Sequence, residues 1–161
     1  MKLQRLSLTQ FMILLFALLL SNASFAMTNL KNLPTSIDAY KGHGHWLIVQ
    51  AWSSKCNICN KAMPGLVKAS HSFPNAKLVG VSLDGNIRAA QRFVDKHHVN
   101  FPTIVSNNNE FNSYLLKVAG EGLRGTPTFL IFDPKGNLKA LQPGNVPPTT
   151  LQNFLMKMRN Q

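Results

Sequence analysis

The chain has 161 residues, of which 45% are apolar and 14% charged, and only two are cysteines. That apolar share supports one packed domain and excludes a wholly disordered chain, while two cysteines exclude a disulfide-stapled miniprotein and a four-cysteine zinc site. Seventeen Lys and Arg against six Asp and Glu give a net charge of +11, but the basic residues are scattered, without a tract or interleaved aromatics, so no nucleic-acid partner is expected.

Lys2 and Arg5 precede the unbroken apolar run FMILLFALLL at residues 11–20. Ser24 and Ala26 then supply the small-x-small pattern of a cleavage site, so residues 1–26 read as a secretory signal peptide. The run falls short of the ~20 residues of a membrane span, which disfavours the rival reading as an uncleaved anchor. Removing Lys2 and Arg5 with the signal leaves a domain over residues 27–161 with a net charge of +9. Its expected location is the periplasm, an oxidising compartment in which a cysteine pair forms a disulfide.

Residues 27–44 are polar and glycine-containing and predict little regular structure. Trp46 to Trp52 is a nearly continuous apolar run, the pattern of a strand buried on both faces. A helix is expected from about Cys56, with Cys59, Met63, Leu66 and Val67 along one side and Pro64 inside it. Lys77 to Leu83 predicts a second central strand. Asp84-Gly85-Asn86 ends it and caps a helix whose inner residues are Ile87, Ala90, Phe93 and Val94. Phe101 to Val105 predicts a short edge strand, because Pro102 cannot donate to a ladder. Asn107-Asn108-Asn109 reads as a turn before a helix over 110–118. Thr128 to Phe132 and Leu138 to Leu141, joined by Asp133-Pro134-Lys135-Gly136-Asn137, form a hairpin. Pro147-Pro148 opens a last helix with Leu151, Phe154, Leu155 and Met158 inward. The alternation predicts a layered α/β domain around a mixed sheet.

Cys56-Asn57-Ile58-Cys59 carries the chemistry. The first cysteine falls where a strand gives way to a helix. Unpaired N–H groups and the helix dipole favour an anion at that point, and the thiolate is the reactive form of cysteine. Lys55 adds a neighbouring positive charge. Cys59 stands one turn further on, on the same side and deeper, within reach of a disulfide. Cys56 then attacks a substrate disulfide, and Cys59 displaces the mixed disulfide. An inert staple gains little chain entropy from so short a loop. A metal site would need His43, His45, His97 or His98, none at a spacing tied to the cysteines.

WSSKCNICNKAMP, with Trp52 four residues before Cys56 and Pro64 five after Cys59, resembles the thioredoxin superfamily. The resemblance is closest to its extracytoplasmic TlpA/ResA-like members. Gly125-Thr126-Pro127-Thr128-Phe129, FLIFDPKG at 129–136 and VGVSLDG at 79–85 extend it over about residues 34–160. It implies a thioredoxin-like fold, with a central mixed β-sheet flanked by helices on both faces. It also implies Cys56 as the attacking thiol, Cys59 as the resolving thiol and a cis Pro127. Thr126, Pro127 and Trp52 are implied at the substrate, with Lys55 tuning the thiolate, no metal, and no cofactor beyond the Cys56–Cys59 disulfide. By the same resemblance, protein cysteines are the substrate and a membrane thiol reductase the electron donor.

Two departures stand out. Gln50 occupies the position of a buried acid in thioredoxins, and Ile58 replaces the usual proline or histidine between the cysteines. The missing histidine removes one device that stabilises the thiolate, and the expected direction is therefore reduction. The rival readings are a thiol peroxidase, with Ser53 three residues before Cys56, and a copper or cytochrome-maturation helper. Thr128 stands where cytochrome-maturation members often carry an acid.

Overall fold

The computed structural model describes residues 27–159. The signal peptide read over residues 1–26 therefore lies outside the described residues. The centre of the molecule is β2 (Trp46–Trp52), in which every residue is buried. Such a strand needs cover on both faces, and the chain supplies it with crossover helices. β3 (Ala76–Ser82) pairs parallel with β2, and β4 (Thr103–Val105) parallel with β3. On the other side of β2, β5 (Thr128–Phe132) pairs antiparallel and β6 (Leu138–Pro143) closes the hairpin. With β1 (Thr28–Asn29), the six-stranded order is β1-β4-β3-β2-β5-β6.

The handedness of parallel connections places the helices. α1 (Asn57–Ala69) links β2 to β3, and α2 (Ile87–His97) links β3 to β4. Both steps run the same way across the sheet, so right-handed crossovers put both helices on one face. α3 (Asn108–Ala119) leads back to the antiparallel β5 beyond β2, and its contacts place it on the opposite face. Its Phe111 and Leu115 pack with Leu47, Val49, Ala51, Val81 and Ile104. Leu151 and Leu155 of α4 (Pro148–Arg159) pack with Leu66, Ile48 and Phe129, on the α1 side.

The structure departs from the sequence reading at three places. Residues 27–44 are not irregular: Thr28 and Asn29 pair with Val105 and Ile104, and Ile37–Tyr40 form a 3-10 turn. Met27 and Ile37 are buried in the core, and the Tyr114 hydroxyl donates to Asp38 at 2.9 Å, so apolar burial and long-range hydrogen bonds anchor this polar segment. β4 is consequently not an edge strand. Pro102 sits just before it, where only its carbonyl is used, accepting from the Gly80 N–H at 2.9 Å. The asparagine triplet is no separate turn, since Asn107 caps α3 by accepting the Glu110 N–H and the helix begins at Asn108.

Candidate active site

Cys56 is the N-cap of α1 and is bonded to Cys59 as a disulfide, with the two Cα atoms 5.2 Å apart. One helical turn sets that spacing. The Cys59 N–H donates to Cys56 Sγ at 3.1 Å, so the sulfur takes the place of an N-cap oxygen. Cys59 is fully buried, whereas Cys56 is half-buried and reaches solvent. Across from it, the Thr126 carbonyl oxygen lies 3.3 Å from Cys56 Sγ, and the Thr126–Pro127 peptide is cis. Thr128 Oγ1 donates to the Gly125 carbonyl at 2.6 Å, and the Gly144 N–H donates to the Pro127 carbonyl at 2.8 Å. These bonds brace the loop that faces the disulfide.

Two residues that the sequence reading missed hold the cysteine loop. Asp84 accepts from Ser53 Oγ at 2.8 Å, Ser54 Oγ at 3.0 Å, the Ser54 N–H at 3.1 Å and Ser82 Oγ at 2.9 Å. One carboxylate thus stitches the residues before Cys56 to the end of β3. Asn60 donates through Nδ2 to the carbonyls of Ser54 and Cys56, each at 3.0 Å, and accepts at Oδ1 from Lys96 and from His97 Nε2, each at 2.9 Å. The signal for Asn60 was its position one turn after Cys56; the signal for Asp84 was a carboxylate directly following a central strand.

Trp52 requires a correction. It is fully buried, so it supports the site from behind and offers no face to a substrate. Its ring stacks on Phe93 with centroids 4.1 Å apart, and Phe93 in turn meets His97 at 4.5 Å. Gly80 makes room for it, because a Cβ there would lie 2.9 Å from Trp52 Nε1 and 3.3 Å from Phe101. Burial, followed by the charges of Lys96 and His98, holds the His97 imidazole below its usual range. His97 is therefore neutral at pH 7 and donates from Nε2 to Asn60.

Gln50 pairs in register with Gly80 and Gly80 with Thr103, which sets them in one row on the α1–α2 face. Gln50 is fully buried, and neither of its side-chain polar atoms has a protein hydrogen-bond partner; the same holds for Trp52 Nε1 and Thr103 Oγ1. A neutral amide thus stands where the resemblance led to expect an acid.

Lys55 is exposed and, with Ser53, Cys56, Arg124 and Thr126, lines a cleft of about 640 Å³ beside the disulfide. The hydroxyl of Ser53 is directed to Asp84 and receives the Lys55 N–H at 3.3 Å. Among the described residues no group of three or more His, Cys, Asp or Glu could hold a metal ion.

A mixed sheet, a cysteine pair at the start of the first crossover helix and a proline loop facing it define a thioredoxin-like protein. The chain belongs to the AhpC/TSA family, whose model matches residues 21–141. It is similar to the thiol-disulfide oxidoreductase ResA of Halalkalibacterium halodurans, 21% identical over 123 residues. The match covers 74% of this chain and 66% of that protein, and 56% of the ResA of Oceanobacillus iheyensis, so the chain spans only part of its curated relatives. Among solved structures it resembles a secreted disulfide oxidoreductase of Mycobacterium tuberculosis, with TM-score 0.63, 18% identity and coverage of 83% of this chain and 95% of that one. It also resembles a thioredoxin-related protein of Neisseria meningitidis serogroup B, with TM-score 0.66, 21% identity and coverage of 84% and 99%. At those identities the structures speak for the fold. No described helix is long and apolar enough to cross a membrane.

Proposed function

We propose that the chain is a thiol–disulfide oxidoreductase that reduces disulfides of extracytoplasmic proteins. The observation that carries this reading is the asymmetry of the pair, with Cys56 reaching the cleft at a helix start and Cys59 wholly buried one turn behind it. In the dithiol form the Cys59 N–H and the start of α1 face Cys56 Sγ and favour its thiolate. That thiolate attacks one sulfur of a substrate disulfide; a mixed disulfide forms and the other substrate sulfur leaves as thiolate. Cys59, after losing its proton, attacks Cys56 Sγ and expels the second substrate thiolate. Two electrons pass to the substrate, the protein is left as its Cys56–Cys59 disulfide, and the two leaving thiolates are protonated by the Cys59 proton and one from solvent.

Thr126 and Pro127 serve as the rim against which an extended substrate segment lies, and Lys55 adds positive charge beside Cys56. Residues 1–26 act as the secretory signal and residues 27–161 as the working domain, in the periplasm, recharged by a membrane thiol reductase. Similarity to proteins described as secreted supports that location. The thiol-peroxidase reading draws support from the family, but Ser53 gives its hydroxyl to Asp84 and not to Cys56.

The test is dithiol-dependent insulin reduction by the full chain beside Cys56→Ser and Cys59→Ser. The expected outcome is turnover by the parent, none by Cys56→Ser, and a trapped mixed disulfide with Cys59→Ser. Equal turnover by the parent and Cys56→Ser would overturn the reading. A reduction potential near about −270 mV marks a reductant and one near about −120 mV an oxidant.

A further inference from the structure

The cleft that Cys56 lines does not end at the cysteine. A second cleft of about 530 Å³ adjoins it and shares Ser53, Lys55, Leu83 and Asn108 with it. Lys55 and Arg124 line the first, and Lys55, Arg88 and Arg92 the second. All four cations are exposed. Among the described residues Lys55, Arg88 and Arg92 form no ion pair, and Arg124 pairs only with Glu121 on the surface. Asp84 is the one acid that lines either cleft, and its oxygens are occupied by three serines.

α2 adds a second, independent sign. Arg88, Arg92 and Lys96 stand at intervals of four along it, and like charges at that spacing repel. Arg88 also lies in the first turn, which has no acidic residue, where the helix dipole disfavours a cation. A ridge that opposes the helix's own stability, beside the reactive cysteine, is what a binding surface for anions requires. Neither cleft is lined by an aromatic residue, so nothing offers a stacking platform for nucleic-acid bases.

We propose that Lys55, Arg88, Arg92 and Arg124 form a cationic docking channel through Cys56, and that the physiological partner is a protein whose reacting cysteine is flanked by Asp and Glu residues. The proposal deepens the oxidoreductase reading and rests on it. The chemistry is unchanged: the partner's disulfide takes two electrons from the Cys56–Cys59 dithiol, and its carboxylates meet the cations before the sulfurs meet.

The test uses the full chain in its reduced form and peptides of one sequence carrying a glutathione mixed disulfide, flanked by Asp, Ser or Lys. Rates of glutathione release in a single turnover, with the reduced chain in excess, give the second-order rate constant. At about 10 mM salt the Asp peptide is expected to react at least about tenfold faster than the Lys peptide, and at about 1 M salt the two should agree within about twofold. The double variant Arg88→Gln/Arg92→Gln, which keeps helix propensity, should lower that ratio at least threefold (about the effect of losing two steering charges). Lys135→Gln/Lys157→Gln removes the same charge far from the clefts and should leave the ratio unchanged. A cysteine-free Asp peptide, followed by fluorescence anisotropy, should bind the parent more tightly than the Arg88→Gln/Arg92→Gln variant.

Equal rates for Asp and Lys peptides at low salt, with both reduced, would overturn the channel and leave the activity standing. An equal loss in the Lys135→Gln/Lys157→Gln control would assign the preference to net charge and overturn it as well. Failure to reduce any peptide, the Ser one included, would instead overturn the oxidoreductase reading. Arg88- and Arg92-dependent binding to phosphatidylglycerol vesicles or to a single-stranded oligonucleotide, without a peptide preference, would show a different occupant and overturn the proposal.

Discussion

The two faces of the central sheet are built from the same three strands and differ in kind. Toward α3, the inward residues of β2, β3 and β4 are Leu47, Val49, Ala51, Val79, Val81 and Ile104, and the helix answers with Phe111 and Leu115. Toward α1 and α2, the same strands present the apolar Ile48, Leu78 and Val105 and, in front of the cysteine pair, Gln50, Trp52, Gly80, Ser82 and Thr103, all buried and several of them polar. The first face is a packing surface, and its energetics are those of area removed from water. The second gives up part of that burial to hold polar atoms and a stacked indole where a sulfur must react. Reactivity is thus confined to one side of the sheet, where it shares the face with an apolar cluster, while the other side is packing alone.

The sharpest way to break this contrast is to damage the packing face alone. Phe111→Ala should cost about 3–5 kcal/mol in denaturant unfolding, yet leave the Cys56–Cys59 reduction potential where it was. A shift in potential comparable with that of Cys56 loop variants would show that the two faces are coupled. On the site face, Asp84→Ala should cost about 2–3 kcal/mol, because a charged acceptor is lost and three serine hydroxyls and one N–H are left without it. Unlike Phe111→Ala, it should also raise KM by releasing residues 53–55, of which Ser53 and Lys55 line both clefts.

Gly80→Ala is expected to cost about 1–3 kcal/mol by overpacking, since the new Cβ would press on an indole already stacked on Phe93. Thermal unfolding measures it, and the indole fluorescence should shift with it. The smallest effect is a pH dependence. His97 has a lowered pKa, so an unfolded chain takes up a proton below about pH 6.5 that the folded chain resists. Its contribution is full above that pH and is lost as pH falls through the folded value. His97→Gln should flatten the slope of stability between neutral and mildly acidic pH; an unchanged slope would remove His97 from the site's electrostatics.

Much of this was visible in the residues. The buried strand at Trp46–Trp52, the cysteine pair at the start of a helix, the hairpin at Asp133–Asn137 and the last helix opening at Pro148 all follow from local pattern and turn chemistry. What the pattern missed was long-range. Residues 27–44 looked irregular because their order comes from Ile37 in the core and Asp38 on Tyr114, contacts across the chain that no local periodicity records. β4 looked like an edge for the same reason. Trp52 looked like a substrate contact, since spacing from Cys56 says nothing about whether a ring points to solvent or to Phe93.

Local rules suffice where a residue's role depends on its neighbours in sequence: the N-cap cysteine, its partner one turn on, the asparagine cap at Asn86. The gathering of Asp84 under Ser53 and Ser54, of Thr126 against Cys56, and of Arg88 and Arg92 beside Lys55 joins segments about 30 to 70 residues apart, through crossovers whose handedness the chirality of the chain dictates. Backbone hydrogen bonding and hydrophobic period act over a few residues and are written into the sequence; the meeting of distant loops at one end of the sheet exists only once the strands have paired.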